Sequence, residues 1–262
     1  MKKRKAFLDT NILTQIIGEK KQGEYIYTIL KENNFEIVTF RKCIYELYSI
    51  VKGTTKDGCS KKNNPLSDFL HPDLNDISQK LFRNYKDIDS KGNTFFWFNT
   101  VEEFKHNNSF QNSEEYLSLI HPSERDDAKE FIKRQELFIE WKEKILNSIY
   151  RIDQAINQKG ITICEYFQVY TSEWYHKEGF FLEQELSKNS LLPNEDFEII
   201  LSALFLGAEV LITNETSDNG IIWRGGLSFG FNSPRISFCC PERIEEAIKD
   251  NFILRIYQKK SR

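Results

Sequence analysis

Short apolar runs alternate along the chain with stretches in which apolar residues recur every three or four positions. The run KAFL stops abruptly at Asp9, and the residues after Asn11 take helical spacing, so a strand over about Lys5 to Leu8 leads into a helix. A second helix is expected over roughly Gly23 to Glu32, where Ile26, Ile29 and Leu30 share one face. The polar turn KENNF then opens a second strand, EIVTF. After it, RKCIYELYSIVK reads as a helix with Ile44, Leu47, Tyr48 and Val51 on one side and Gly53 as its stop. The order βαβα predicts an α/β fold with a parallel sheet covered by helices.

The pattern changes at TTKDGCSKKNNP, a polar and basic connection, beyond which helical periodicity dominates. Ser123 is a good N-cap for a helix running to Gly160, roughly 35 residues or about 50 Å. That length predicts a kink or an elongated helical hairpin. TICEYFQVYTSEWYHKEGFFLEQELSK is read as further helix, and NSLLPNED as a break. The alternating style then returns: a helix over FEIILSALFL, Gly207 to end it, and EVLIT as a buried strand. A Gly-rich stretch, a strand in RISFCC and a last helix opening on Pro241 complete the chain.

Composition narrows the class without naming a function. Of 262 residues, 40% are apolar and 29% charged, which suits a folded globular protein. The net charge of −3 hides basic ends, Lys2 to Lys5 and Lys259, Lys260 and Arg262. The basic start meets only three apolar residues before Asp9, unlike a secretory signal. The longest apolar stretch, IILSALFLGAEVLIT, has 15 residues and includes Glu209, too short for a membrane span, so no membrane partner is expected. Five cysteines without a CxxC pair suit inert thiols in a reducing, cytoplasmic setting.

Asp9 raises the chemical question, because a carboxylate directly after a buried strand is costly unless something offsets its charge. Ligands of an open parallel sheet sit beyond the carboxyl ends of its strands. Asp9 ends the first strand, Glu46 lies in the helix after the second, Asp196 opens the helix before a later strand, Glu215 follows that strand, and Asp218 is three residues on. Were they to converge, their repulsion would call for a cation, and such hard oxygen donors select Mg²⁺ or Mn²⁺.

FLDTN at Phe7 to Asn11, Glu46 in CIYELYSIV, and DFEIILSALFLGAEVLITNE carrying Asp196 and Glu215 together resemble the PIN-domain ribonucleases; RISFCCPERIEEAI resembles the family's last strand and helix. The resemblance covers about residues 5–52 and 193–252. It implies a three-layer PIN-like fold with a central, mostly parallel sheet flanked by helices. The nuclease domain would be discontinuous, 1–52 and 193–262, with 53–192 as a mostly helical insertion.

The implied activity is metal-dependent endoribonuclease, a toxin, defence effector or processing enzyme, with RNA as substrate ahead of DNA. Asp9, Glu46, Asp196 and Glu215 would be catalytic, and with Asp218 would hold Mg²⁺ or Mn²⁺. Thr10, Asn11, Thr213 and Asn214 would orient carboxylates or substrate, and Arg41, Lys42, Lys52 and Arg224 would contact nucleic acid. The insertion is the candidate surface for an inhibitor or partner protein, and a homodimer follows from the family's habit of pairing.

Glu215 stands where the family usually has Asp, and DNGIIWRGGLSFGFN is longer than the family's linker. These departures keep a second reading open, a catalytically weakened PIN-like module that binds nucleic acid or protein. A phosphatase of the haloacid dehalogenase type would need Asp where Asn11 stands. The aromatic runs at Thr94 to Phe98 and Glu173 to Phe181 are read mainly as core, and the four histidines as structural.

Overall fold

A computed structural model describes residues 3–51, 66–70, 73, 77, 122, 125–187, 194–215, 236–254 and 256–258. They build an α/β protein around a six-stranded, all-parallel sheet. The first strand, β1 (Arg4–Leu8), lies inside the sheet between β2 (Phe35–Phe40) and β4 (Val210–Ile212), with Ala6 opposite both Ile37 and Val210. Beyond β2 lies β3 (Thr162–Cys164); beyond β4 lie β5 (Ser237–Cys239) and β6 (Ile256–Tyr257), giving the order β3-β2-β1-β4-β5-β6. Residues 6–8, 37–40, 210–212 and 237–239 are buried consecutively. Successive strand side chains face opposite ways, so both faces of the sheet are covered, as in a three-layer fold.

The helices follow from local chemistry. Asp9 caps α1 (Thr10–Ile17), which buries Ile12, Leu13, Ile16 and Ile17. Gly23 in α2 (Lys21–Glu32) lets α2 approach α1 closely: a Cβ there would stand 2.3 Å from the carbonyl carbon of Gln15. Cys43, Ile44, Leu47 and Val51 form the buried face of α3 (Arg41–Val51). Later come α4 (Arg125–Gln158), α5 (Tyr166–Tyr170), α6 (Phe180–Ser187), α7 (Asn194–Phe205) and α8 (Ile244–Lys249). After α7, Gly207 adopts φ +66° and its N–H reaches the Leu204 carbonyl, while Ala208 reaches Ala203, which closes the helix end. The Glu209 N–H then bonds to the Lys5 carbonyl at 2.9 Å, at the amino end of β1. The end of α7 is thereby tied to the amino edge of the sheet, and its first turn belongs to the carboxyl edge.

Two expectations change. Of the kink or hairpin expected in the long helical pattern, the hairpin is overturned: the segment forms one continuous helix of 34 residues, α4. Thr162–Cys164, read as helix, is instead strand β3, in register with Val38 to Phe40. Gly160, at φ +61°, ends the helix just before it, and three residues are too few to show alternation. The segment Pro241–Arg243 is a tight 3₁₀ turn leading into α8, and β6 was not foreseen.

The chain divides into two compact units: Met1–Tyr48 with Asp153–Arg262, and Ser49–Ile152. The first carries the sheet. In the second, Trp141, Ile145, Ser148 and Ile152 form a buried stripe at three- and four-residue spacing. Arg151 donates to the Asp68 carbonyl at 2.7 Å and lies over the Phe69 ring, and Lys144 pairs with Asp73 at 3.3 Å. Among the described residues no helix is long and apolar enough to cross a membrane.

Candidate functional site

The strand order reverses between β1 and β4, because the chain goes from β1 outward to β2 and returns to β4 on the other side. Crossovers leaving in opposite directions open a crevice beyond the carboxyl ends of these two strands. Asp9, Thr10 and Asn11 follow β1 at that place, and Thr213, Asn214 and Glu215 follow β4.

Asp9 is only 4% exposed, and its carboxylate is held by three donors. Oδ1 accepts the Thr10 N–H at 2.7 Å; Oδ2 accepts the Asn11 side-chain amide at 2.6 Å and the Thr213 hydroxyl at 2.7 Å. The Asn11 amide also reaches Thr213 Oγ1 at 3.1 Å, and its carbonyl accepts the Asn214 N–H at 2.9 Å. Glu215 closes the turn with its N–H on Thr213 Oγ1 at 3.1 Å. The Thr10 hydroxyl donates to the Glu46 carboxylate, which ties α3 to the same network. Asp9 thus both caps α1 and anchors a constellation drawn from three elements.

Electrostatics work against the charge at this point. Burial pushes Asp9 up to about 7, and the nearby carboxylates of Glu215 and Glu46 add to the rise, while the Thr213 hydroxyl and Thr10 N–H oppose it. Cys43, fully buried beneath the site, is pushed up to about 12 by burial and by the charges of Asp9 and Glu46, so it remains a thiol. Cys164, Cys239 and Cys240 are also free and buried.

The structure therefore brings together Asp9, Thr10, Asn11, Glu46, Thr213, Asn214 and Glu215. Asp196 is half-buried in the first turn of α7. Two residues on, Glu198 pairs with Lys42 at 3.3 Å, which sets that turn against the start of α3. Arg41 is likewise engaged, with its Nε 3.0 and 2.9 Å from the two carboxylate oxygens of Glu165. Of the four cations expected to meet nucleic acid, the two that are described, Arg41 and Lys42, are thus already in ion pairs, with Glu165 and Glu198. Asp218, Lys52 and Arg224 lie outside the described residues, as do Thr94 to Phe98 and three of the four histidines. Of the other aromatic run, Trp174 and Tyr175 are half-buried, but Phe180 and Phe181 are exposed.

The donors at this crevice are all oxygens, which suits Mg²⁺ or Mn²⁺ rather than a softer ion. Among the described residues, Oδ1 of Asp9 accepts a single hydrogen bond, which leaves it a lone pair. Among the described residues, however, no three His, Cys, Asp or Glu side chains gather closely enough to hold an ion as they stand. Comparisons with protein-family models, curated proteins and solved structures found no match to this chain.

Proposed function

We propose that the crevice at the carboxyl ends of β1 and β4 is the active site of a PIN-like, Mg²⁺- or Mn²⁺-dependent endoribonuclease. The observation that carries the reading is Asp9: a carboxylate raised by burial and further by two neighbouring acids, at the place where the strand order reverses. Such an arrangement is costly unless a cation offsets it. A bound divalent ion would supply a Lewis acid and an activated water. The chain's own residues set the geometry. Asn11 and Thr213 fix Oδ2 of Asp9, the Thr10 N–H holds Oδ1, the Thr10 hydroxyl tethers Glu46, and Glu215 stands exposed after β4. Asp196 would join from α7, and Asp218 from the segment beyond Glu215. A cytoplasmic setting and a partner protein or second copy recognised through residues 53–192 belong to the same proposal.

One observation favours the weakened binding module instead, namely that the described acids do not form a three-ligand cluster. Incubating the purified protein with labelled RNA and DNA, in Mn²⁺ or EDTA, beside Asp9→Asn separates the two. Cleavage of RNA that needs the ion and disappears in the variant supports the nuclease. Binding without cleavage identifies the module, and neither binding nor cleavage overturns both.

A further inference from the structure

The polar side chains at the carboxyl edge of the sheet are largely spoken for. Asn11 and Thr213 serve Asp9, Thr10 serves Glu46, Arg41 is bound to Glu165, and Lys42 to Glu198. Tyr166 differs. It is the first residue of α5, separated from the end of β3 only by the Glu165 that Arg41 holds. Its ring is fixed against Phe40 at the end of β2, with centroids 4.5 Å apart and planes at 58°. The side chain is half-buried, and its hydroxyl forms no hydrogen bond with any described residue.

Burial and then the charge of Glu198 push the Tyr166 phenol upward, with Cys43, Tyr45 and Glu46 adding to the rise. The hydroxyl therefore stays protonated at neutral pH. It is a neutral donor on an anchored ring, at an edge where the two flanking cations are already paired. Phosphate is poorly served by carboxylates, and an uncharged O–H can hold one of its oxygens without first breaking an ion pair.

We propose that Tyr166 is a substrate-positioning residue, whose hydroxyl donates to a non-bridging phosphate oxygen of a nucleic-acid strand lying along the carboxyl edge of the sheet. The inference rests on the nuclease reading above and adds to it a residue outside the acid constellation. The ring packing is independent of the hydroxyl, so Tyr166→Phe should keep the Phe40 contact and lose only the donor.

The test compares Tyr166→Phe and Tyr170→Phe with the unaltered protein, using a short single-stranded RNA in Mn²⁺ for kcat and KM, and the same RNA in Ca²⁺ for Kd by fluorescence anisotropy. Tyr170 lies one turn further along α5 and serves as the control. A lost bond to a charged oxygen should raise KM and Kd about ten- to a hundredfold in Tyr166→Phe, with kcat and melting temperature little changed. Tyr170→Phe should match the unaltered protein. Equal KM and Kd in Tyr166→Phe, or a loss that tracks a lower melting temperature, overturns the inference and leaves the nuclease reading standing. No binding or cleavage by the unaltered protein overturns both.

Discussion

Replacing Asp9 by Asn has a pH signature that can be worked out from the buried carboxylate. With a folded-state value near 7 and an unfolded value of 3.8, the native protein binds more protons than the unfolded chain across that window. By linkage, stability is greatest on the acid side of the window and falls as pH rises through it. The full displacement, at about 1.4 kcal/mol per pH unit, is about 4 kcal/mol. From pH 5 to pH 8 about 3 kcal/mol of this should be lost by the unaltered, metal-free protein.

Asn carries no charge and lacks this loss. It brings a separate cost, because an amide in place of Oδ2 would face the Asn11 amide and the Thr213 hydroxyl, both donors in the native arrangement. That mismatch is about 1–3 kcal/mol and does not vary with pH. The variant should therefore be the less stable protein at pH 5 and gain on the unaltered one by about 3 kcal/mol at pH 8. Urea unfolding of both proteins in EDTA, at closely spaced pH values, measures the difference directly. Parallel stability curves would refute the reasoning and show that the three donors fully compensate the buried charge.

Further outcomes follow from the same geometry. Thr213→Val removes one donor to Asp9 and the acceptor of two N–H groups, so it should cost about 1–3 kcal/mol in urea unfolding and steepen the decline with pH. Adding Mn²⁺ to metal-free protein should raise the melting temperature at pH 7, and Asp9→Asn should abolish that rise; an equal rise in both would place the ion elsewhere. Gly23→Ala forces α1 and α2 apart and should destabilise by about 1–3 kcal/mol, whereas Gly207→Ala meets nothing within 4 Å and should cost only about 1 kcal/mol from its positive φ, both readable by thermal unfolding.

Much of the sheet was legible because its strands are unbroken apolar runs bounded by turn residues. AFL before Asp9, IVTF before Arg41 and VLI before Thr213 can be found by pattern alone, and so can the residues that follow them. Strand β3 was not, since TIC lies inside a long helical pattern and three residues carry no period. Missing it hid Glu165 and Tyr166, which a strand ending at Cys164 would have put at the carboxyl edge. The ion pairs of Arg41 and Lys42 were hidden for a related reason: their partners lie 124 and 156 positions away, and only the completed topology brings them near. The network around Asp9 shows the opposite case. Thr10 and Asn11 stand beside it in sequence, so their contact with the carboxylate is nearly dictated by the turn.

The position of β1 also bears on how the protein is made. Its neighbour β4 is synthesised about 200 residues after it, and no two adjacent strands are joined by a hairpin. Until β4 arrives, the nascent chain must keep one flank of a wholly apolar ribbon, Ala6 to Leu8, from pairing with something else. Slow translation or truncation between Asn194 and Thr213 should therefore yield aggregates rather than a soluble fragment, and the late half of the crevice is also what makes the early half safe.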